Sequence, residues 1–340
     1  MRKLATIQKI KEILPIEGAD AIELAIVNGW KVVVGKNVEH KEGDYVIYCE
    51  IDSFLPIKEE FEFLRKSSYK KMADGTEGFR LRTIKLRGQV SQGLIIPINV
   101  LTRYKNFIVE FEEGSDVSEI LGIVKYEPPM PAELSGVAKG LFPGFIPKTD
   151  EERIQNLFEV FESWREEGHK FYVTEKLDGS SATYYYKDGE FGVCSRNLEL
   201  LETEGNSFWK VARNLDLENK MKSLGYNVCF QGELIGEGIQ GNPYKILGQT
   251  VKFFNVFNID TREYAGLTEF VNIIHELGLN TVPKIETEFT LPDTIEDLLS
   301  YADGKSYHNS NFDREGVVIR SIDRKISFKV ISNKFLLNEK

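Results

Sequence analysis

Val173-Thr174-Glu175-Lys176-Leu177-Asp178-Gly179-Ser180-Ser181 is the stretch around which the rest of the chain is organised. Phe171-Tyr172-Val173 before it and Ala182-Thr183-Tyr184-Tyr185-Tyr186 after it are β-branched and aromatic runs, which predict two strands. Asp188-Gly189 then predicts a tight hairpin turn. We therefore expect Lys176 in a tight connection between strands, beside a glycine that allows a ligand to approach the backbone. A lysine there can act as a nucleophile if its surroundings lower its pKa.

The same pattern has a plainer interpretation, namely a hairpin with a surface lysine. Lys-x-Asp-Gly fixes only three residues, so chance matches to it are common. The phosphate-loop, dinucleotide, serine-hydrolase and zinc-protease patterns are absent from the sequence. The order of the remaining motifs has to decide between the two interpretations.

Length and composition limit the class of protein. The 340 residues predict two domains, each long enough to bury its own core. Without an apolar run of membrane-span length or a signal-peptide core, we expect an intracellular protein that does not enter the membrane. The widely spaced Cys49, Cys194 and Cys229 predict buried thiols in a reducing compartment such as the cytoplasm. The net charge of −10 argues against a general nucleic-acid coat, yet it permits a local basic groove.

Residues 1–125 carry short β-patterned runs separated by turn signals, which predict a small barrel of the OB type. The runs lie at 23–27, 31–35, 44–51, 79–87 and 92–97. The run 79–87 alternates, so its apolar side chains are expected on one face and its cations on the other. Arg82, Lys85 and Arg87 of this run join Lys70 in the main basic region of an acidic chain. That region is either a solvated strand face or a track for a nucleic-acid backbone.

The second half of the chain mixes strands and helices. Residues 126–150 are rich in proline and glycine, which predicts a linker. Thr149-Asp150-Glu151-Glu152 has the pattern of a capped helix start and predicts a helix that ends near Gly168. Further helices are expected at 206–222, 267–277 and 294–302, and further strands at 228–236, 251–259, 316–320 and 325–331.

Six short motifs follow one another in a fixed order between residues 175 and 331. They are Glu175-Lys176-Leu177-Asp178-Gly179, Ser195-Arg196-Asn197, Gly232-Glu233-Leu234, Phe254-Asn255-Val256-Phe257, Glu315-Gly316-Val317-Val318 and Phe328-Lys329-Val330. Their types and their order resemble those of the covalent nucleotidyltransferases, the superfamily of ATP-dependent DNA and RNA ligases and mRNA capping enzymes.

The domain order narrows this resemblance. In DNA ligases and capping enzymes an OB domain usually follows the last motif, whereas here the barrel-like region comes first and the sequence ends soon after Lys329. This arrangement resembles the nick-sealing RNA ligases of the Naegleria type, and so does the stretch 145–156. Many RNA ligases have a second lysine two residues after the first in the last motif. Ile331 stands there in this chain, which leaves the second lysine open, with Lys325 and Lys334 as the nearest other cations.

The resemblance implies both a fold and a reaction. The implied class is α+β, with an amino-terminal OB-type β-barrel at 1–125, a linker at 126–150 and a mixed α/β nucleotidyltransferase domain on antiparallel sheets at 151–340. The implied reaction is ATP-dependent joining of 3′-hydroxyl and 5′-phosphate RNA ends through lysyl-AMP and an adenylated 5′ end. The implied partners are ATP, Mg²⁺ or Mn²⁺, and RNA as a nicked duplex or as free ends. We expect a monomer.

The resemblance also assigns roles to residues. Lys176 is the implied nucleophile, with Lys329 and a divalent cation expected to depress its pKa. Catalysis is assigned to Lys176, Lys329 and Glu315. ATP binding is assigned to Glu175, Arg196, Glu233, Phe254, Phe257 and Lys329. Metal binding is assigned to Glu315, Asp178 and Glu233. RNA binding is assigned to Arg82, Arg87, Lys85 and Lys70.

Two questions stay open at this point. The motif favours Phe257 as the ring that stacks on adenine, but Phe254 is an alternative, and strand alternation places the two on opposite faces. The activity has alternatives as well: a DNA ligase, an mRNA capping guanylyltransferase, or a nucleic-acid-binding protein without catalysis. The intact set Lys176, Glu233, Glu315 and Lys329 counts against the last of these.

Overall fold

The structure is a computed structural model that describes residues 3–72, 75–104, 112–126 and 137–338. The chain forms two compact units. The first comprises Met1–Met130, Gln155–Phe161 and Leu336–Lys340, and the second comprises Pro131–Ile154 and Glu162–Phe335. Of the predicted linker, residues 127–136 lie outside the described residues, and residues 137–150 belong to the second unit.

The described part of the first unit is mainly β-structure. Its strands are β1 Ala5–Pro15, β2 Ile22–Val27, β3 Trp30–Gly35, β4 Tyr45–Cys49, β5 Ser53–Pro56, β6 Tyr69–Lys71, β7 Glu77–Arg80, β8 Ile84–Leu86, β9 Gln89–Ser91, β10 Leu94–Pro97 and β11 Val124–Lys125. Short helices occur at α1 Arg65–Ser68 and α2 Ser118–Leu121, and 3₁₀ turns at Glu59–Leu64 and Ile98–Arg103. The main sheet has the order β10-β4-β1-β2-β3, a second sheet has the order β11-β5-β7-β6, and β8 pairs with β9.

β1 is the central strand of the main sheet, and the sequence pattern missed it. It pairs with β4 through its first half and with β2 through its second half. Ile7 and Gln8 are both buried, and the register with β2 shifts between Ile10 and Glu12, so the strand has no regular alternation of buried and exposed residues. A simple search for alternation fails across such a bulge. The predicted strands near β2, β3, β4 and β10 are present.

The run 79–87 is not one strand, which corrects the sequence prediction. β7 ends at Arg80 and β8 begins at Ile84 in a separate two-stranded hairpin. Phe79, Leu81 and Thr83 are buried, but every residue from Ile84 to Gly88 is exposed. The first strand of the hairpin is therefore exposed, whereas Ser91 in its second strand is buried. The cations of this run do not share one side of a strand.

The second unit contains two larger sheets. Its strands are β12 Ala138–Leu141, β13 Glu152–Arg153, β14 Phe171–Lys176, β15 Ser180–Lys187, β16 Glu190–Cys194, β17 Leu198–Leu200, β18 Val228–Gly236, β19 Gln249–Asn258, β20 Glu263–Tyr264, β21 Lys284–Phe289, β22 Gly316–Ser321 and β23 Ser327–Ile331. The first sheet has the order β12-β17-β16-β15-β18-β19-β20, and the second has the order β13-β23-β22-β14-β21. Among these strands of the described residues, β13 and β23 pair in parallel, and all other pairs are antiparallel.

The remaining helices begin and end at α3 Phe158–Glu166, α4 Ser207–Asn214, α5 Leu217–Lys222, α6 Leu267–Glu276, α7 Ile295–Ala302 and α8 Asn333–Asn338, with a 3₁₀ turn at Ile154–Leu157. The predictions for α6 and α7 are confirmed. The predicted helix 206–222 is two helices, because Asp216 adopts a left-handed conformation (φ 52°) between them. Trp209, Val211 and Ala212 of α4 pack with Leu217 and Met221 of α5 into the main core of this unit.

The helix predicted to start at Thr149 begins instead at Phe158. Thr149, Asp150 and Glu151 are not helical, and Glu152 and Arg153 pair in parallel with β23. The side chains that looked like a helix cap and an acidic first turn contact distant strands instead. Long-range contacts have overridden the local capping signal here.

Candidate active site

Lys176 lies where the two sheets of the second unit meet. It is the last residue of β14 in one sheet, and Ser180 opens β15 in the other. Residues 177–179 make the connection. A Cβ atom added to Gly179 would lie 2.4 Å from the carbonyl oxygen of Leu234 in β18. The glycine therefore makes room for the neighbouring strand, not for a ligand as the sequence suggested, and it brings the turn against Glu233.

Glu315 is the direct partner of the lysine. Lys176 pairs with Gly316 in the β14–β22 register, which puts the preceding Glu315 beside it. The distance from Lys176 Nζ to Glu315 Oε1 is 2.8 Å. Burial lowers the pKa of Lys176, but the carboxylates of Glu315, Glu233 and Asp178 outweigh burial, and the net pKa is raised. The expected depression of the pKa is thus absent when only the protein's own groups act on the lysine.

Glu233 extends from β18 toward the same lysine. Burial, with repulsion from Glu315 and Asp178, raises the pKa of Glu233 to about 8, although Lys176 and Arg196 oppose the rise. Three acids within electrostatic range of one another are a favourable place for a divalent cation. In the described residues, however, no three His, Cys, Asp or Glu side chains converge closely enough to bind one ion directly.

The raised pKa of Glu233 predicts a change of stability with pH. Since its pKa in the folded protein is about 8 and its ordinary value is 4.5, the folded state retains the proton where the unfolded state releases it. The stabilisation by the neutral carboxyl is complete below about pH 4.5 and is lost as pH rises through about 8. We expect the unfolding free energy of the wild type, measured in EDTA relative to that of Glu233→Gln, to fall by roughly 1–3 kcal/mol between pH 5 and pH 9. Urea titrations at each pH measure this, and a difference that stays constant with pH would contradict it.

A β-bulge in β19 changes which aromatic rings face the site. Gln231 pairs with Asn255 and Gly232 pairs with Phe253, so Phe254 is the extra residue. Phe253 and Val256 both lie in the main core. The bulge therefore leaves Phe254 and Phe257 on the face of the sheet that carries Glu233. The opposite faces expected from strict alternation are wrong for this pair.

The two rings nevertheless have different surroundings. Phe257 is 3% exposed and packs with Tyr185, Cys194 and Cys229. Phe254 is only partly buried and packs with Leu177 and Tyr244, the first of which directly follows Lys176. The geometry favours Phe254 as the ring available to a base, in contrast to the preference for Phe257 drawn from the motif.

Glu175 lies deep beside the same aromatic cluster. Its Oε2 accepts a hydrogen bond from the backbone N–H of Tyr307 at 3.0 Å. Its Oε1 is buried and has no hydrogen-bond partner among the described residues. Burial raises the pKa of this carboxyl, opposed by Ser306, Tyr307 and Arg314. A buried oxygen that lacks a donor is an acceptor available to a ligand.

Tyr244 is a site residue that the sequence analysis missed. Its hydroxyl accepts a hydrogen bond from the backbone N–H of Asp178, which fixes the turn after Lys176. Its ring packs edge-on against His308 and Phe312. The only sequence signal was a Gly-Asn-Pro-Tyr loop after β18, and a loop composition by itself does not indicate what the tyrosine contacts.

Arg196 and Lys329, two cations predicted to bind ATP, share one acid. Asp150 Oδ1 lies 2.9 Å from Arg196 Nη2 and 3.6 Å from Lys329 Nζ. The adjacent Glu151 pairs with the buried Arg320 at 3.0 Å. Ile331, which replaces the second lysine, is buried, and Lys334 pairs with Asp303. Asp150, Glu151 and Arg320 were not among the predicted site residues, because the acids read as a helix start.

The predicted RNA-binding residues lie in the first unit and do not form one row. Lys70 is exposed on the edge strand β6. Lys85 and Arg87 are exposed on the β8–β9 hairpin, where Arg87 has a φ of 48° in the turn. Arg82 is partly buried before that hairpin. The hairpin is thus a small cationic projection, and Lys70 belongs to a different sheet.

Comparison with known proteins identifies the family. A model of an OB-fold domain matches residues 4–98, and a model of the RNA ligase domain matches residues 169–332. A variant of the Naegleria gruberi RNA ligase with AMP and Mn is 43% identical, with 99% of this chain and 99% of that chain covered and a TM-score of 0.92. This chain belongs to the RNA ligase family. No curated protein matched the sequence.

Other structures of the Naegleria gruberi RNA ligase agree. A variant with ATP and Mn is 43% identical over 99% of both chains with a TM-score of 0.91. The enzyme with PPi is 44% identical over 99% of this chain and 98% of that chain, also with a TM-score of 0.91. The predicted resemblance, the OB fold followed by a mixed α/β domain with antiparallel sheets, and the RNA ligase activity are confirmed. DNA ligase, capping enzyme and non-catalytic binding protein are not favoured.

None of the helices in the described part of this RNA ligase combines the length and the apolar character that a membrane crossing requires.

Proposed function

We propose that this RNA ligase seals RNA nicks through an adenylate carried on Lys176. ATP supplies the adenylate, and the divalent cation is Mg²⁺ or Mn²⁺, in keeping with the relatives' complexes with ATP, AMP, Mn and PPi. The adenylate then passes to a 5′-phosphate of RNA, and the 3′-hydroxyl attacks that end and expels AMP. The observation that carries the proposal is the ion pair between Lys176 and Glu315 at the junction of two sheets. Glu233 and Asp178 lie close enough to act on the same lysine electrostatically. A monomeric state remains a prediction.

In the first step, Nζ of Lys176 forms a bond to the α-phosphorus of ATP. The bond from that phosphorus to the bridging oxygen breaks, and pyrophosphate leaves. The ammonium must lose its proton before attack, and the carboxylates that surround it oppose that loss. Because Glu315 Oε1 lies 2.8 Å from Nζ, it is positioned to accept the proton.

The acids fit a divalent cation by their chemistry. Glu315, Glu233 and Asp178 supply oxygen ligands, and each raises the pKa of Lys176 through its charge. A bound Mg²⁺ or Mn²⁺ supplies positive charge that stabilises the growing charge on phosphate oxygens. When the acids are neutralised in this way, their effect on the pKa of Lys176 is weakened. The protein's own part is to hold the acids around the nucleophile.

The nucleoside is assigned to the aromatic cluster beside Lys176. Phe254 provides a half-buried ring for stacking on the base. Glu175 Oε1 provides an acceptor for the exocyclic amino group of adenine, which guanine does not present at that position. Glu233 is assigned to the ribose hydroxyls as an alternative to the metal. Arg196 and Lys329 then face the phosphates.

Two assays test this function. The wild-type enzyme should form an acid-resistant labelled adduct with ATP and Mg²⁺, and much less adduct with GTP. It should seal a nick with RNA at the 3′-hydroxyl side faster than the corresponding all-DNA nick. Equal adduct formation with GTP would contradict the adenine assignment, and preferential sealing of DNA would contradict the RNA assignment.

The cationic hairpin is proposed to contact the RNA backbone. Lys85→Ala with Arg87→Ala should leave adduct formation unchanged but weaken nick binding. The slope of log affinity against log salt should fall in magnitude by about 1 to 2, because each phosphate contact releases counterions. The matched control is Lys36→Ala with Lys41→Ala, two exposed lysines between β3 and β4 of the same unit. Equal losses in both double variants would show a general charge effect instead of a binding site.

A further inference from the structure

Residues 147–151, which we call the strap, connect the two sheets of the catalytic unit. Each of its residues contacts a different part of the site. The first three residues make hydrogen bonds: Pro147 O accepts one from Gln231 Nε2 (2.7 Å), Lys148 Nζ donates one to Asn197 Oδ1 (3.2 Å), and Thr149 Oγ1 shares one with Ser181 Oγ (3.0 Å). The last two residues make ion pairs: Asp150 with Arg196 (2.9 Å) and Lys329 (3.6 Å), and Glu151 with Arg320 (3.0 Å). The strap is therefore part of the catalytic unit, although its proline-rich surroundings resemble a linker.

Asp150 makes the contacts that a phosphate would make. Its carboxylate accepts a hydrogen bond from Arg196 and lies within ion-pair distance of Lys329. Carboxylate and phosphate oxygens bind guanidinium and ammonium groups at similar distances, so the two anions compete for the same donors. A polyphosphate that reaches Arg196 and Lys329 must share them with Asp150 or displace it.

The two acids of the strap differ in how deeply their arginine partners are buried. Arg320 is 2% exposed, and its guanidinium has Glu151 as an acid partner. Removal of that acid would leave a buried charge unpaired, so this pair anchors the strap. The side chains of Asp150 and Arg196 are 40% and 50% exposed, so solvent can replace this contact at low cost. The Lys329 side chain is 11% exposed and lies farther from Asp150, at 3.6 Å. The anchored end holds Asp150 close to the cations at high local concentration.

We propose that Asp150 is an internal competitor of pyrophosphate for Arg196 and Lys329. The inference rests on the proposed function, in which these cations bind the phosphates of ATP. After Lys176 has attacked, pyrophosphate remains as a free anion against the two cations. Asp150 then forms ion pairs with both cations again, which weakens their binding of pyrophosphate. In this way the strap favours release of the product and limits the reverse reaction, in which pyrophosphate regenerates ATP from lysyl-AMP.

The test is binding of inorganic pyrophosphate to the full chain in Mg²⁺, measured by calorimetry. Asp150→Asn removes the charge and keeps the shape, and should bind pyrophosphate roughly two- to fivefold more tightly, the scale of an exposed ion pair. Asp150→Glu keeps the charge and should bind as the wild type does. Glu202→Gln is the matched control, since it removes an exposed acid that pairs with Arg213 outside the site. The pyrophosphate concentration that half-reverses the lysyl-AMP adduct should fall by the same factor in Asp150→Asn only.

The direction of the change decides the outcome. If Asp150 merely positions the two cations, Asp150→Asn will bind pyrophosphate more weakly than the wild type, and the inference is wrong. Unchanged binding overturns it as well. Because Asp150→Asn keeps the shape of a partly exposed side chain, the variant should remain folded, and its melting temperature checks this. A wild-type enzyme that forms no adduct and does not bind pyrophosphate would defeat the proposed function itself, whereas normal wild-type behaviour with no gain in Asp150→Asn defeats only this inference.

Discussion

Lys176→Ala should lose the covalent AMP adduct by more than about a thousandfold, the scale at which removal of a nucleophile acts. Lys176 lies 2.8 Å from Glu315 and directly precedes the Leu177–Gly179 turn, and the proposal assigns the adenylate to this lysine alone. The measurement is transfer of label from ATP to protein after acid precipitation. Lys187→Ala is the matched control, since it removes a lysine from the other end of β15.

The same variant separates the chemical steps. A nick whose 5′ end already carries AMP no longer needs the lysine as a nucleophile, so Lys176→Ala should seal it with a smaller loss than it shows from ATP. If the variant still forms labelled adduct, another residue carries the adenylate and the assignment is wrong. If sealing of the adenylated nick falls as far as adduct formation, Lys176 contributes to the last step as well.

Glu315→Gln should reduce adduct formation by about a hundredfold or more, the scale of a lost electrostatic stabiliser in an active site. Two effects of opposite sign meet at this residue. The carboxylate raises the pKa of Lys176, so its removal should favour the reactive amine. It is also the proposed proton acceptor and a proposed metal contact, and we expect the loss of these roles to dominate.

The metal dependence distinguishes the two effects. The Mg²⁺ concentration for half-maximal adduct formation should rise about tenfold or more in Glu315→Gln, and excess EDTA should stop the reaction of the wild type. Glu276→Gln, an exposed acid at the end of α6, is the control and should behave as the wild type does. Faster adduct formation by Glu315→Gln near neutral pH would mean that Glu315 only restrains the lysine. Full activity of the wild type in EDTA would remove the metal proposal.

The sequence predicted those parts of the molecule whose signals are local. Lys176, Glu233, Glu315 and Lys329 lie in or next to strands with dense β-branched and aromatic residues, and β18 has the predicted bounds. Asp188 and Gly189 form the predicted turn with φ of 51° and 88°. Such features depend on neighbours in the chain, so a pattern reveals them. The order of the six motifs then indicated the family.

Other features depend on how strands pair across long distances. The sequence gives no sign that β19 bulges at Phe254, because the bulge exists only in its register with β18. Without that register, alternation places the two candidate phenylalanines on the wrong faces. The register shift in β1 could not be predicted for the same reason, since it exists only in the pairing with β2. One extra residue moves every following side chain to the other face.

The sequence by itself therefore indicated the family and the order of an OB domain before a ligase domain, and it predicted Lys176 as the nucleophile. Only the tertiary structure decided which groups surround that nucleophile. Asp150 and Glu151 read as the acidic start of a helix, yet Arg196, Lys329 and Arg320 engage them from strands and turns far along the chain. A helix cap gains about 1 kcal/mol from one local hydrogen bond. Several charge-assisted contacts, one of them to a buried arginine, outweigh that gain, and this is why the strap does not form a helix.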